Sequence, residues 1–119
     1  MAKKIKESDM YPSTKNALRR RYPLADGWKI IPQDNRGTYI PDFTVEKKAR
    51  KFTYRIPVEV KLECKATQPH INQVNRYARN LAGPNIIIAK KFLVYPAGTN
   101  TTLIPNDIDV IYLREFTCE

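Results

Sequence analysis

The stretch VEVKLECK at residues 58–65 contains the spacing Glu-x-Lys twice. The first copy is Glu59-Val60-Lys61 and the second is Glu63-Cys64-Lys65. A glutamate can bind a hard metal ion, and a lysine beside it can orient an attacking water or stabilise developing negative charge. The same spacing also occurs on solvated strand faces, where charged side chains form cross-strand pairs. A catalytic site and an ordinary charged strand face are therefore both compatible with this stretch.

Two strands are predicted around a basic turn. Residues 39–47 form the first and contain Pro41-Asp42, and residues 53–66 form the second. In the second strand apolar residues occupy every other position, which is typical of a strand with one buried face. The basic residues 48–51 are predicted to form the hairpin turn between the two strands.

The position of this turn decides which Glu-x-Lys pair faces Asp42. With the turn at the basic stretch, Asp42 lies opposite Glu59 or a residue two positions away. To face Glu63, the hairpin would have to turn at Phe52-Thr53, which are strand formers rather than turn formers. We therefore expect Asp42, Glu59 and Lys61 to share one face of the sheet.

This trio has the residue types that phosphodiester hydrolysis needs. Two ionised carboxylates at this distance repel each other unless a cation bridges them or one takes a proton. Oxygen ligands in an open site suit Mg²⁺, which can activate a bound water and stabilise charge on a phosphate. The trio therefore predicts a Mg²⁺ site, with Mn²⁺ expected to substitute, although a solvated charged sheet face remains the alternative.

The charge balance predicts a polyanionic partner. The chain of 119 residues, predicted to be one domain over residues 1–119, carries 21 Lys+Arg against 12 Asp+Glu and a net charge of +9. Such a balance favours nucleic acid, here DNA, although a basic surface without a specific partner is the alternative. The residues expected to contact DNA are Arg19, Arg20, Arg21, Lys47, Lys48, Arg50, Lys51 and Lys65.

Several classes of protein are excluded or disfavoured. One histidine, His70, excludes sites that need a histidine pair, and the chain has neither a phosphate-binding glycine loop nor a Gly-x-Ser-x-Gly elbow. No apolar run is long enough to cross a membrane, so no membrane association is expected. Sparse cysteine use, with pairing of the two undecided, suits a reduced intracellular protein, which would be cytoplasmic, nucleoid-associated or virus-encoded.

The order of predicted elements is helix, three strands, helix, and two or more strands, which indicates a mixed α/β domain. The first helix ends before Pro23, and the second follows Thr67. The run Ile86–Ala89 is predicted to be a central strand buried on both faces. In the second helix, Gln73 and Tyr77 stand four apart on one face, from which they could reach the metal site or the scissile phosphate.

Pro41-Asp42, Glu59-Val60-Lys61 and the Gln-x-x-x-Tyr spacing of Gln73 and Tyr77 resemble the PD-(D/E)xK nuclease superfamily. The last element is similar to its RecB-like branch, and the run EVKLECKATQPHINQVNRYARNL resembles the nuclease domains of archaeal mismatch- and flap-cutting endonucleases. The size also resembles small Holliday-junction resolvases and phage-type nucleases. The resemblance implies a restriction-endonuclease-like fold with an αβββαβ core, a mixed central sheet and flanking helices. Dimerisation is common in such resolvases, so a homodimer is a further expectation.

The resemblance also implies roles for individual residues. Asp42 and Glu59 would bind the metal together with the backbone carbonyl of Val60, and Lys61 would position the attacking water. A glutamate of the first helix often completes the family's site, and Glu7 is its match here. Gln73 and Tyr77 would orient the substrate or support Lys61.

Three hypotheses follow. The leading one is a Mg²⁺-dependent DNA endonuclease that is selective for branched, flap or other DNA structures. The second is a non-catalytic basic module that binds nucleic acid on the same scaffold. The third is a small basic scaffold protein of a larger assembly.

Overall fold

A computed structural model describes residues 5–36 and 39–118. A short 3₁₀ turn, Glu7–Met10, leads into the first helix, and a second 3₁₀ turn, Leu24–Asp26, leads into the first strand. The helices are α1 (Tyr11–Arg21) and α2 (Gln68–Leu81), and the strands are β1 (Trp28–Pro32), β2 (Phe43–Lys48), β3 (Thr53–Val60), β4 (Ile86–Ile88), β5 (Phe92–Ala97) and β6 (Asp109–Thr117).

The strands form one mixed sheet of six strands. Its order is β1-β2-β3-β5-β6, and β4 pairs with the start of β3. The first three strands form an antiparallel meander, whereas β5 and β6 run parallel to β3. The predicted mixed α/β class, with a helix, three strands, a helix and a strand in that order, is confirmed.

The helices cover opposite faces of this sheet. Side chains alternate along a strand, so Phe92 and Val94 of β5 point to one face while Leu93 and Tyr95 point to the other. The first pair belongs to a buried cluster with Leu18 of α1, and the second pair belongs to a separate buried cluster that includes residues of α2. Each helix therefore buries one face of the central strand.

The prediction that Ile86–Ala89 forms a central strand buried on both faces is wrong. The strand β4 has three residues, and the Ile87 side chain is 37% exposed. The strand β4 pairs only with Thr53–Arg55, and β5 takes the place beside Val58–Val60. Pro57, which has no backbone N–H, lies in the gap between these two pairings and so leaves no donor unsatisfied there.

An ionic network joins Arg36, which follows β1, to two buried carboxylates and to β3. Arg36 contacts Asp34 at 2.6 Å and Glu46 at 2.9 Å, and Arg55 reaches the same oxygen of Glu46 at 2.9 Å. Burial opposes ionisation of Glu46, but the two guanidinium groups nevertheless hold its pKa below the usual value. This network fixes the start of the segment that leads to Pro41-Asp42.

The strand β3 ends at Val60, earlier than the predicted end at Ala66. Beyond it the chain turns towards the C-terminal strand, where Cys64 forms a disulfide bond with Cys118. Such bonds are typical of oxidising compartments, so this pairing does not support the expectation of a reduced environment. Among the residues that the structure describes, no helix is long and apolar enough to cross a membrane.

Candidate active site

The predicted register of the hairpin is confirmed. Phe43 pairs with Val58, so Asp42, which directly precedes β2, lies opposite Glu59 at the end of β3. The antiparallel pairing continues to Lys48 and Thr53, as a turn at the basic residues requires. The first Glu-x-Lys pair therefore faces Asp42.

Two hydrogen bonds fix the Asp42 carboxylate. The Tyr11 hydroxyl donates to Oδ1 at 2.5 Å, and the Val60 backbone N–H donates to Oδ2 at 2.7 Å. Burial and the neighbouring Asp42 carboxylate raise the pKa of Tyr11, so its hydroxyl keeps the proton that it donates. Tyr11 was not predicted as a site residue, because its contact depends on how α1 packs on the sheet, which no local pattern in the sequence reveals.

Glu59 is buried beside Asp42. Glu59 is 4% exposed, and Oε2 of its side chain has no hydrogen-bond partner among the described residues. Burial is the largest of the effects that raise the pKa of Glu59 to about 9, and the hydrogen bonding and negative charge of Asp42 add to it. At neutral pH the metal-free pair therefore keeps a proton on Glu59.

Lys61 lies at the edge of this pair. Its Nζ is 3.9 Å from Oε1 of Glu59, and this positive charge lowers the pKa of Glu59 against the larger effects of burial and Asp42. The Lys61 side chain as a whole is 14% exposed. A charge in such a position can act on a negative group that binds at the acidic pair.

The residues present fit a divalent cation bound by oxygen. The unpartnered Oε2 of Glu59, the Asp42 carboxylate and the backbone carbonyl of Val60 are hard ligands of the kind that Mg²⁺ prefers. Among the described residues there is no group of three or more histidine, cysteine or acidic side chains that could hold a metal. Glu7 is therefore not gathered with Asp42 and Glu59, and it lies in the 3₁₀ turn that precedes α1.

Gln73 contacts Tyr77, whose hydroxyl is directed at Glu59 rather than at Lys61. Gln73 Nε2 donates a hydrogen bond to the Tyr77 hydroxyl at 2.9 Å. The Tyr77 hydroxyl faces Glu59, and burial together with that carboxylate raises the pKa of Tyr77 to about 12. No hydrogen bond joins either side chain to Lys61 in the described part of the chain.

The second Glu-x-Lys pair belongs to a different cluster. Glu63 is half exposed, and its Oε2 lies 3.1 Å from Nε2 of His70. The other ring nitrogen of His70 is 2.7 Å from the hydroxyl of the fully buried Tyr95. Glu63 is therefore tied to the start of α2, while Lys65 is exposed and forms an isolated backbone bridge with Asn100.

Two further residues lie beside Tyr77 and were not predicted. The Tyr39 ring meets the Tyr77 ring edge-on, with 6.5 Å between centroids. The guanidinium carbon of Arg76 lies 5.1 Å from the centroid of the Tyr39 ring. A partly exposed aromatic ring and a cation thus lie on the side of Tyr77.

The predicted DNA-contacting residues lie around the site rather than in it. The turn that carries Lys48, Arg50 and Lys51 is at the opposite end of β3 from Glu59, about 20 Å away along an extended strand. Lys47 lies over the Trp28 ring on the same hairpin. The arginines Arg19, Arg20 and Arg21 occupy the last turn of α1, about 12–15 Å along the helix from Tyr11.

Comparison with protein-family models, with curated proteins and with solved structures finds no match to this chain.

The stability of the metal-free protein is expected to reveal the Glu59 proton. The pKa of Glu59 is about 9 in the folded protein, against a usual value of 4.5. The stabilisation that this proton gives to the folded state is therefore fully present below pH 4.5 and is lost as the pH rises through 9. Glu59→Gln removes this dependence, and we expect it to raise the free energy of unfolding at pH 8 by several kcal/mol, because each pH unit between 4.5 and 9 costs the folded parent about 1.4 kcal/mol. Urea unfolding in EDTA at a series of pH values measures the difference between variant and parent.

The half-exposed Glu63 offers a matched control for this experiment. Glu63→Gln makes the same chemical change four residues further along the chain, outside β3, and should leave the pH profile close to that of the parent. Equal profiles for Glu59→Gln and the parent would contradict the assignment of a proton to Glu59.

Proposed function

We propose that this protein is a Mg²⁺-dependent DNA endonuclease that hydrolyses phosphodiester bonds, and that it acts on branched or flap structures. The observation that carries the proposal is the buried pair of Asp42 and Glu59 with Lys61 beside it. Such a pair is unfavourable without a cation or a proton, and its geometry leaves an oxygen of Glu59 free for a ligand.

The residues around the acidic pair would each have a separate role in the reaction. Tyr11 and the Val60 N–H hold the Asp42 carboxylate in one orientation, and Tyr77 faces Glu59 from α2. Lys61 would orient the attacking water or stabilise the charge that develops on the phosphate. A bound Mg²⁺ would supply Lewis-acid stabilisation of the phosphate and a lowered pKa for the bound water.

The experiment is an incubation of the pure protein with supercoiled, branched, flap and single-stranded DNA. We expect cutting with Mg²⁺ or Mn²⁺, no cutting in EDTA, and loss of cutting in Asp42→Asn. The exposed Asp26 has no ion pair among the described residues, so Asp26→Asn serves as the control with the same loss of charge. No cutting of any substrate would overturn the enzyme proposal, and cutting by Asp42→Asn would overturn the site.

A non-catalytic module that binds nucleic acid is the second candidate. It is favoured by the basic turn at residues 48–51, which lies about 20 Å from the acidic pair. This candidate predicts salt-dependent DNA binding without cleavage under any metal condition.

A further inference from the structure

A concavity of about 430 Å³ lies between the end of α1 and β6. Arg20 and Arg21 line it from the helix, and Arg114 lines it from the strand. A second, more open concavity of about 580 Å³ shares Arg21, Tyr112 and Arg114 with the first. The first concavity is thus lined by three arginines, by Tyr112 and by one carboxylate, Glu115.

These arginines have no acidic partner in the described part of the chain. Arg36 and Arg55, by contrast, are both paired with carboxylates within 3 Å. The Arg21 guanidinium instead lies over the Phe92 ring, 5.7 Å from its centroid. The lining of the first concavity has three cationic side chains against the single carboxylate of Glu115, and planar guanidinium donors match phosphate oxygens.

A structural explanation accounts for only part of this arrangement. Cations in the last turn of a helix are stabilised by the helix dipole, which would explain Arg20 and Arg21 by themselves. Arg114 is on β6 rather than in the helix, and it adds a third cation to the same lining. The excess of cations over the single carboxylate is the feature that favours an anionic ligand.

The concavity lies close to the candidate active site. Val60 pairs with Val94 on β5, and Val94 pairs with Ile111 on β6, so Ile111 is two strand spacings, about 10 Å, from Val60. Ile111 also lines the concavity. Glu59 pairs with Leu93 and points to the face that α2 covers, so a strand of nucleic acid that bound at both places would pass around the end of the sheet.

We propose that this concavity binds a backbone phosphate of a nucleic-acid strand and that Tyr112 offers a stacking surface to an adjoining base. Tyr112 is 46% exposed, and its hydroxyl contacts that of Thr101, which holds the ring in place. Aromatic rings beside arginines are typical of surfaces that bind single strands. The inference rests on the nucleic-acid partner of the proposed function but does not require cleavage.

The test measures binding of a short fluorescein-labelled DNA strand, and of its duplex, by anisotropy in EDTA. It uses the full chain carrying Asp42→Asn, over a range of salt concentrations. The variant Arg20→Ala/Arg114→Ala should lose about tenfold in affinity and lower the salt slope by about 1. Lys29→Ala/Arg79→Ala removes two exposed cations outside the concavity and serves as the control, and circular dichroism checks the fold of both variants.

Equal losses in the two double variants would overturn the proposal, because general charge would then explain the effect. Unchanged binding of the Arg20→Ala/Arg114→Ala variant would overturn it too. A parallel titration with inorganic phosphate and a deoxynucleoside monophosphate tests for a free small ligand, and arginine-dependent binding of these alone would overturn the polymer assignment. Cleavage by the parent with unchanged binding in the variant would refute the concavity and leave the enzyme proposal standing.

Discussion

Glu59→Gln is expected to lower the rate of DNA cleavage by roughly a hundredfold to a thousandfold, whereas Glu63→Gln should leave it within about threefold of the parent. The reason is geometric. Glu59 is buried against Asp42 with an unpartnered oxygen, whereas Glu63 is half exposed and contacts His70. The glutamine at position 59 keeps the shape of the side chain and removes the carboxylate that would bind the metal.

The lysines of the two pairs extend the same comparison. Lys61→Ala should reduce cleavage as strongly, because its Nζ lies 3.9 Å from the Glu59 carboxylate. Lys65→Ala should affect DNA affinity more than the cleavage rate, since Lys65 is exposed. Single-turnover rates on the best substrate of the panel, with saturating protein, separate the two effects. Equal losses at positions 59 and 63 would refute the choice of the first pair.

Removing the disulfide bond is expected to lower the free energy of unfolding by about 2–4 kcal/mol. Cys64 and Cys118 are 54 residues apart, and closing a loop of that size removes about 4 kcal/mol of chain entropy from the unfolded state. The bond also joins the segment after β3 to the end of β6. Urea unfolding of Cys64→Ser/Cys118→Ser against the parent measures the loss.

Reduction of the parent provides the matching control. The parent in excess dithiothreitol should unfold at the urea midpoint of the double serine variant. Alkylation without reduction, followed by mass spectrometry, should find no reactive thiol in the parent. Two labelled cysteines together with an unchanged midpoint would contradict the bond.

The sequence was most informative where structure is local. A basic turn at residues 48–51 set the hairpin register, and that register placed Asp42 opposite Glu59. The helical spacing of Gln73 and Tyr77 likewise predicted a shared face, which their hydrogen bond confirms. Both inferences needed only the geometry of one hairpin or one helix.

The features that were missed depend on long-range packing. Tyr11 reaches Asp42 only because α1 crosses the open end of the hairpin. The apolar run at residues 86–88 looked central, but β5 has the longer buried run and takes that place. Period-2 alternation continues to Ala66, yet β3 ends at Val60, and the segment beyond it carries Cys64, which is bonded to Cys118.

The burial of Glu59 beside Asp42 has a consequence for protein engineering. In the metal-free protein this pair opposes folding at neutral and alkaline pH, so neutral residues at position 59 are among the simplest routes to a more stable chain. Selection for thermal stability alone would therefore favour loss of the acidic pair. A library built on this scaffold needs a selection for function at the same time, or its most stable members will lack Glu59.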